Sequence, residues 1–154
     1  MDNNRTKLLA VYGTLRQGFY NHDYIKDSEY IGTYKTKSLF YLICLGPYPI
    51  LVPESFVSID EKKELKIKGN EPVNIIYELY LINEETWKKI CDLEGYNGIR
   101  DHKDNEYDTI DIETEKGLAE IFIQKAINYE GIFVNSGDYS LYKGIVKENC
   151  SSKK

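Results

Sequence analysis

The sequence predicts an α+β fold: a curled, largely antiparallel or mixed sheet with few helices around it. Three observations lead there. Apolar runs of strand length, such as 8–12 and 73–82, end at turn residues. One stretch, 83–96, carries a clear helical period. The 154 residues are 42% hydrophobic and 29% charged, which suits one domain over 1–154 with a core of its own.

The elements follow in order. Leu8, Leu9, Ala10 and Val11 run without a polar break, so 8–12 reads as a buried strand. Residues 20–27 read as a short helix. Residues 30–45 carry β-branched and aromatic side chains and read as one long or bent strand. In "LGPYPIL" (45–51) a Gly-Pro turn precedes an extended piece, because Pro47 and Pro49 exclude helix. The charged stretch 60–72 reads as a hairpin or exposed loop. "VNIIYELYLI" (73–82) is a strongly apolar strand.

In "NEETWKKICDLEGY" (83–96), Asn83 caps a helix and Glu84 and Glu85 sit where the helix dipole favours acids. Gly95 suits a left-handed stop after the last turn. "NEYDTIDIET" and "GLAEIFIQKA" alternate as paired strands with "EKG" at the turn. "SGDYSLYKG" (136–144) reads as a loop leading into a short helix, and 146–154 as a frayed polar tail.

Composition narrows the function. A net charge of −5 argues against nucleic acid as the main partner, since neutralising phosphates needs a basic surface. No apolar run of about 18 residues is present, so no membrane span is expected. The polar start "MDNNRTK" shows no signal peptide. Cys44, Cys91 and Cys150 form no CxxC pair, which fits a reducing cytoplasm and disfavours a disulfide or zinc framework. With only His22 and His102, a zinc site built mainly from histidine is close to excluded, and triad chemistry would need one of those two as base.

One carboxylate is out of place. The apolar stripe of 83–96 is Trp87, Ile90 and Cys91, and the next step along it is Glu94. Desolvation there would raise its pKa toward neutrality, which suits a general acid or base. The bland alternative puts Glu94 at a helix end swinging out to solvent, or neutralised by a cation. Asp92 lies off the stripe and reads as a solvated or capping acid. Glu78 shares a strand face with Ile76, Tyr80 and Ile82 and is a second candidate that an edge position would explain away.

"GTLRQG" (13–18) has the glycine spacing of a phosphate loop, but "FY" follows where Lys and Ser or Thr would be needed. No GxGxxG fingerprint occurs. What remains is a strand-ending loop whose N–H groups can hold a carboxylate or an oxyanion, with the Thr14 hydroxyl and Arg16 as a charge clamp. The alternative is a tight turn held by Gly13, with Arg16 exposed.

Several motifs change that weighing together. "VYGTLRQG" followed by Asn21-His22, "GPYPIL" (46–51), "YELYLI" (77–82), "DLEGY" (92–96) and "SGDY" (136–139) resemble, in order, those of the γ-glutamylcyclotransferase family. The resemblance spans nearly the whole chain. It implies a small mixed β-barrel with flanking helices and no cofactor. It implies a pocket lined by Tyr12, Gly13, Thr14 and Leu15, with Glu94 as acid/base; Arg16 and Tyr96 are candidates for further substrate contact. The "NH" and "PYP" elements look most like the γ-glutamylamine cyclotransferase branch, which acts on amides such as γ-glutamyl-ε-lysine. The substrate's α-amine would then attack its own γ-carbonyl, releasing 5-oxoproline and an amine or amino acid.

Two positions depart from the pattern. Tyr77 stands where the family has Gly, and "YDT" (107–109) where it often has Tyr-x-Arg, leaving Arg100 as a substitute. Two other readings stand beside this one. The first is a non-catalytic module of the same fold, binding a small ligand or a protein. The second is a hydrolase using a cysteine or a carboxylate pair, although Cys44 and Cys91 read as core residues. His22 reads as orienting its loop and His102 as exposed. The sequence does not choose between monomer and dimer.

Overall fold

A computed structural model describes residues 6–142, so the 146–154 tail and Cys150 lie outside the described residues. The fold is α+β, on two sheets. Strands β1 (Thr6–Val11), β2 (Glu29–Lys35), β5 (Ile76–Asn83), β6 (Asp108–Thr114) and β7 (Gly117–Ile123) form a five-stranded sheet in the order β2-β5-β1-β7-β6. Strands β3 (Phe40–Cys44), β4 (Pro49–Pro53) and β8 (Ile132–Phe133) form a three-stranded sheet in the order β4-β3-β8. The larger sheet is mixed: β1 pairs antiparallel with β5 and parallel with β7.

Both faces of β1 are buried, which is why its sequence runs apolar instead of alternating. Ala10 faces the three-stranded sheet in a core shared with Leu42, Leu51, Leu79 and Ile121. Leu9 and Val11 face the other way, into a second core with Ile90, Cys91 and Phe122. That second core lies under helix α2 (Glu84–Glu94). A third core, with Ile43, Val52 and Val57, covers the far side of the small sheet and receives Leu65 from helix α1 (Ile59–Ile67).

Helix α2 begins and ends as its sequence requires. The Asn83 side chain accepts from the Thr86 N–H, and Gly95 closes the last turn at φ 67°. The expected β6–β7 hairpin forms, with Thr114 opposite Gly117.

Four expectations need correction. The 60–72 stretch is not a hairpin: α1 occupies most of it, started by a reciprocal capping box between Ser58 and Glu61. Residues 30–45 are two strands in different sheets. The chain leaves the large sheet at Thr36, whose backbone and hydroxyl both bond Ile75, and enters the small one at Phe40. The 20–27 helix shrinks to a 3-10 turn at His22–Tyr24. Finally, the two sheets form no closed barrel among the described residues. They meet through the Gln124 N–H to Leu51 carbonyl bond on one side and the Phe40–Val73 bridge on the other.

Candidate active site

The end of β1 opens into a pocket of about 340 Å³. Its floor is the sequence Tyr12-Gly13-Thr14-Leu15, and Glu94 and Leu93 from the end of α2 form one wall. Tyr48 and Pro49 form another, and Glu106 and Tyr107 come from the segment before β6. The structure therefore brings Tyr12, Gly13, Thr14, Leu15 and Glu94 together around one cavity.

The floor is held open by a close contact. A Cβ on Gly13 would lie 2.6 Å from Pro49 Cγ, so only glycine lets the 46–51 segment pack there. Gly18, by contrast, supplies a left-handed turn at φ 90°. The loop between them is tied down from behind. The Asn21 N–H bonds the Thr14 carbonyl, and Asn21 Nδ2 donates to Thr14 Oγ1 at 3.0 Å. His22 Nδ1–H donates to the Leu15 carbonyl at 2.9 Å, so His22 orients the loop. Among the described residues no acceptor satisfies the N–H of Gly13, Thr14 or Leu15. The Thr14 hydroxyl, already accepting from Asn21, has its own proton left to give.

Glu94 is half-buried on the opposite wall, and among the described residues its carboxyl makes no hydrogen bond or ion pair. Burial pushes its pKa up to about 7, and the Glu106 charge adds to the rise. Glu106 is placed there by Gly95, which also lacks a side chain for a reason. A Cβ at 95 would meet Glu106 Oε1 at 2.6 Å, and the Glu106 N–H bonds the Gly95 carbonyl. Two phenols, Tyr12 buried and Tyr107 half-buried, complete the pocket in neutral form. Tyr12 OH donates to the Phe122 carbonyl and Tyr107 OH to the Pro49 carbonyl, and burial raises both well above the usual phenol range.

Other candidates fall elsewhere. Arg16 is buried and does not line the pocket: its Nε donates to Glu78 Oε2 and its Nη1 to Asp138 Oδ1, each at 3.0 Å. It is neither a free clamp nor an exposed loop residue. Glu78 is not an edge acid, since β5 lies between β2 and β1. Its carboxylate also accepts from the Gln17 N–H and Tyr80 OH. Tyr96 packs behind the pocket against Trp87 and Phe122. Arg100 is engaged by Asp111 and Thr109, and Tyr77 is buried beside Tyr34. Burial pushes the Cys91 thiol up to about 11 and raises Cys44 as well, so neither is a ready nucleophile. His102 is half-buried, not exposed.

Sequence reasoning missed Tyr20, Tyr48 and Glu106 as pocket residues. "GPYP" marked the right segment for Tyr48, while Glu106 sits in a charged stretch without periodicity. Among the described residues no helix is long and apolar enough to cross a membrane. None of their His, Cys, Asp and Glu side chains gather in a group that could hold a metal ion.

This small mixed-sheet domain thus carries a pocket that sets an unpaired carboxyl opposite unsatisfied backbone donors. The family model described as "Gamma-glutamyl cyclotransferase, AIG2-like" matches residues 9–141, and the chain belongs to that family. A Methanocaldococcus jannaschii protein named "Putative gamma-glutamylcyclotransferase" is 33% identical over 135 residues, covering 87% of this chain and 96% of that protein. Two solved structures share the fold. One is an uncharacterized protein of Pyrococcus horikoshii (TM-score 0.63, 21% identity, 90% of this chain and 94% of that one). The other is a mouse AIG2-like protein (TM-score 0.56, 17% identity, 82% of each).

Proposed function

We propose that this chain is a γ-glutamylcyclotransferase acting on γ-glutamyl amines, with Glu94 as general acid/base. One observation carries the reading. An unpaired glutamate with a pKa of about 7 shares a pocket with the unsatisfied N–H groups of Gly13, Thr14 and Leu15.

The loop N–H groups and the Thr14 hydroxyl hold the substrate's carboxylate or its γ-carbonyl oxygen. Glu94 takes a proton from the substrate's α-ammonium. The freed amine attacks the γ-carbonyl, forming the ring N–C bond. The bond to the leaving nitrogen then breaks as Glu94 returns the proton to it, and the ring nitrogen sheds its second proton to water, giving 5-oxoproline and a free amine. Holding the substrate folded converts the attack into an intramolecular step, for which effective molarities reach ~10⁵–10⁸ M. A carboxyl that titrates near 7 can serve both transfers.

The test is 5-oxoproline release from γ-glutamyl-ε-lysine, γ-glutamyl-alanine and glutathione, measured in parallel for wild type and Glu94→Gln. Release from the ε-lysine amide that disappears in the variant supports the reading. Undiminished release in the variant removes Glu94 from the mechanism. Binding of 5-oxoproline with no release from any substrate turns the assignment to a binding module.

A further inference from the structure

The leaving nitrogen is the atom that Glu94 must protonate, so whatever that nitrogen carries lies beside Glu94. The structure fixes what is there. Glu106 is exposed at the pocket, its side chain lies against the Gly95 backbone next to Glu94, and among the described residues its carboxylate has no cationic partner. Tyr20 and Tyr48 stand at the same opening with 40% and 41% of their surface exposed. Among the described residues lining the pocket there are two carboxylates and no Lys, Arg or His. A second depression shares Tyr48, and its one charged lining residue among those described is Glu130. Arg16 and Arg100 are held by carboxylates elsewhere, so neither supplies a positive charge to this opening.

A leaving group with a carboxylate next to its nitrogen, as in an α-amino acid or a dipeptide, would face Glu106 with like charge and no compensating cation. An ammonium a few carbons away would meet the Glu106 carboxylate and the electron-rich faces of the tyrosines. We propose that Glu106 selects the leaving group, so that the preferred substrate is a γ-glutamyl amide of an aliphatic diamine or polyamine. This inference rests on the cyclotransferase reading above and names the substrate class within it. The ε-lysine amide, whose far end carries one charge of each sign, falls between the two extremes.

The experiment compares kcat/KM for three substrates: the mono-γ-glutamyl amide of 1,4-diaminobutane, the γ-glutamyl amide of n-pentylamine, and γ-glutamyl-alanine. The diaminobutane amide is expected to exceed the neutral amide by roughly fivefold or more, with alanine last, and added NaCl is expected to shrink the gap. Because each ratio is taken within one enzyme, any change in Glu94 basicity cancels. Glu106→Gln brings the first two substrates together, and Glu106→Lys favours γ-glutamyl-alanine over the diaminobutane amide. Equal rates for the charged and neutral amides in wild type, or an order unchanged in Glu106→Lys, would overturn the selection while leaving the reaction standing. No 5-oxoproline from any of the three would overturn the reaction, and the inference with it.

Discussion

Replacing Glu94 with Gln should make the protein more stable above neutral pH while removing most of its activity. The magnitude follows from the pocket. Burial holds the Glu94 pKa at about 7 against an ordinary value of 4.5. Below about pH 4.5 the carboxyl is neutral in both folded and unfolded chains, so it costs the fold nothing. Between 4.5 and 7 the unfolded chain ionises while the folded one resists, and stability falls as pH rises. Above 7 the full cost is present. At 1.36 kcal/mol per pH unit of displacement it amounts to about 3 kcal/mol, an upper figure because the pocket admits water.

Gln keeps the shape and never ionises. Urea denaturation of both proteins from pH 4.5 to 8.5 should therefore give a stability difference that grows in favour of Glu94→Gln through this window and then levels. The same variant should lose about 10²–10⁴-fold in kcat, the usual worth of a positioned acid/base. A difference that stays flat with pH would refute the reasoning, because it would mean that Glu94 titrates like a surface carboxylate. A growing difference without loss of rate would leave a strained carboxyl with no catalytic part.

Further outcomes follow from the same geometry. The acid limb of kcat/KM should rise through about pH 7, and Glu106→Gln should move it to lower pH by removing the neighbouring charge that raises Glu94. Arg16→Met should destabilise by about 3–5 kcal/mol in urea melts, since it strands the buried Glu78 carboxylate; a change within 0.5 kcal/mol would mean a surface arginine. Gly13→Ala must push Pro49 or the loop aside, costing about 1–3 kcal/mol and raising KM. Iodoacetamide at pH 7.5 should leave the rate intact, because burial keeps the Cys91 and Cys44 thiols protonated; inactivation would point to cysteine chemistry.

What could be read from the sequence depended on whether the signal was local. Helix α2 and Glu94 were legible because one element carried both the apolar period and its exception. Strand β1 was legible because burial on both faces leaves an unbroken apolar run. Helix α1 was missed because it buries only Leu65, so no periodicity marks it. The Ser58–Glu61 capping box was the signal that was there to be used. The break between β2 and β3 is made by bonds from Thr36 to Ile75, which strand propensity does not register. Arg16 was read as a clamp because its burial depends on Glu78 and Asp138, far away along the chain.

The rest of the pocket is non-local: beyond Glu94 on α2, its walls come from segments far apart in the chain, and periodicity does not report on the loops among them. The motifs reached it for a physical reason. "YGTL" and "GPYP" are two ends of one contact, Pro49 seated in the space where a Gly13 side chain would be. "EGY" and Glu106 are likewise one contact, because the bare Gly95 backbone is what admits the Glu106 side chain. A glycine kept for close approach is silent to any pattern of polarity. The carboxylate it admits is silent too, which is why Glu106, the residue expected to choose the leaving group, stayed hidden in the sequence.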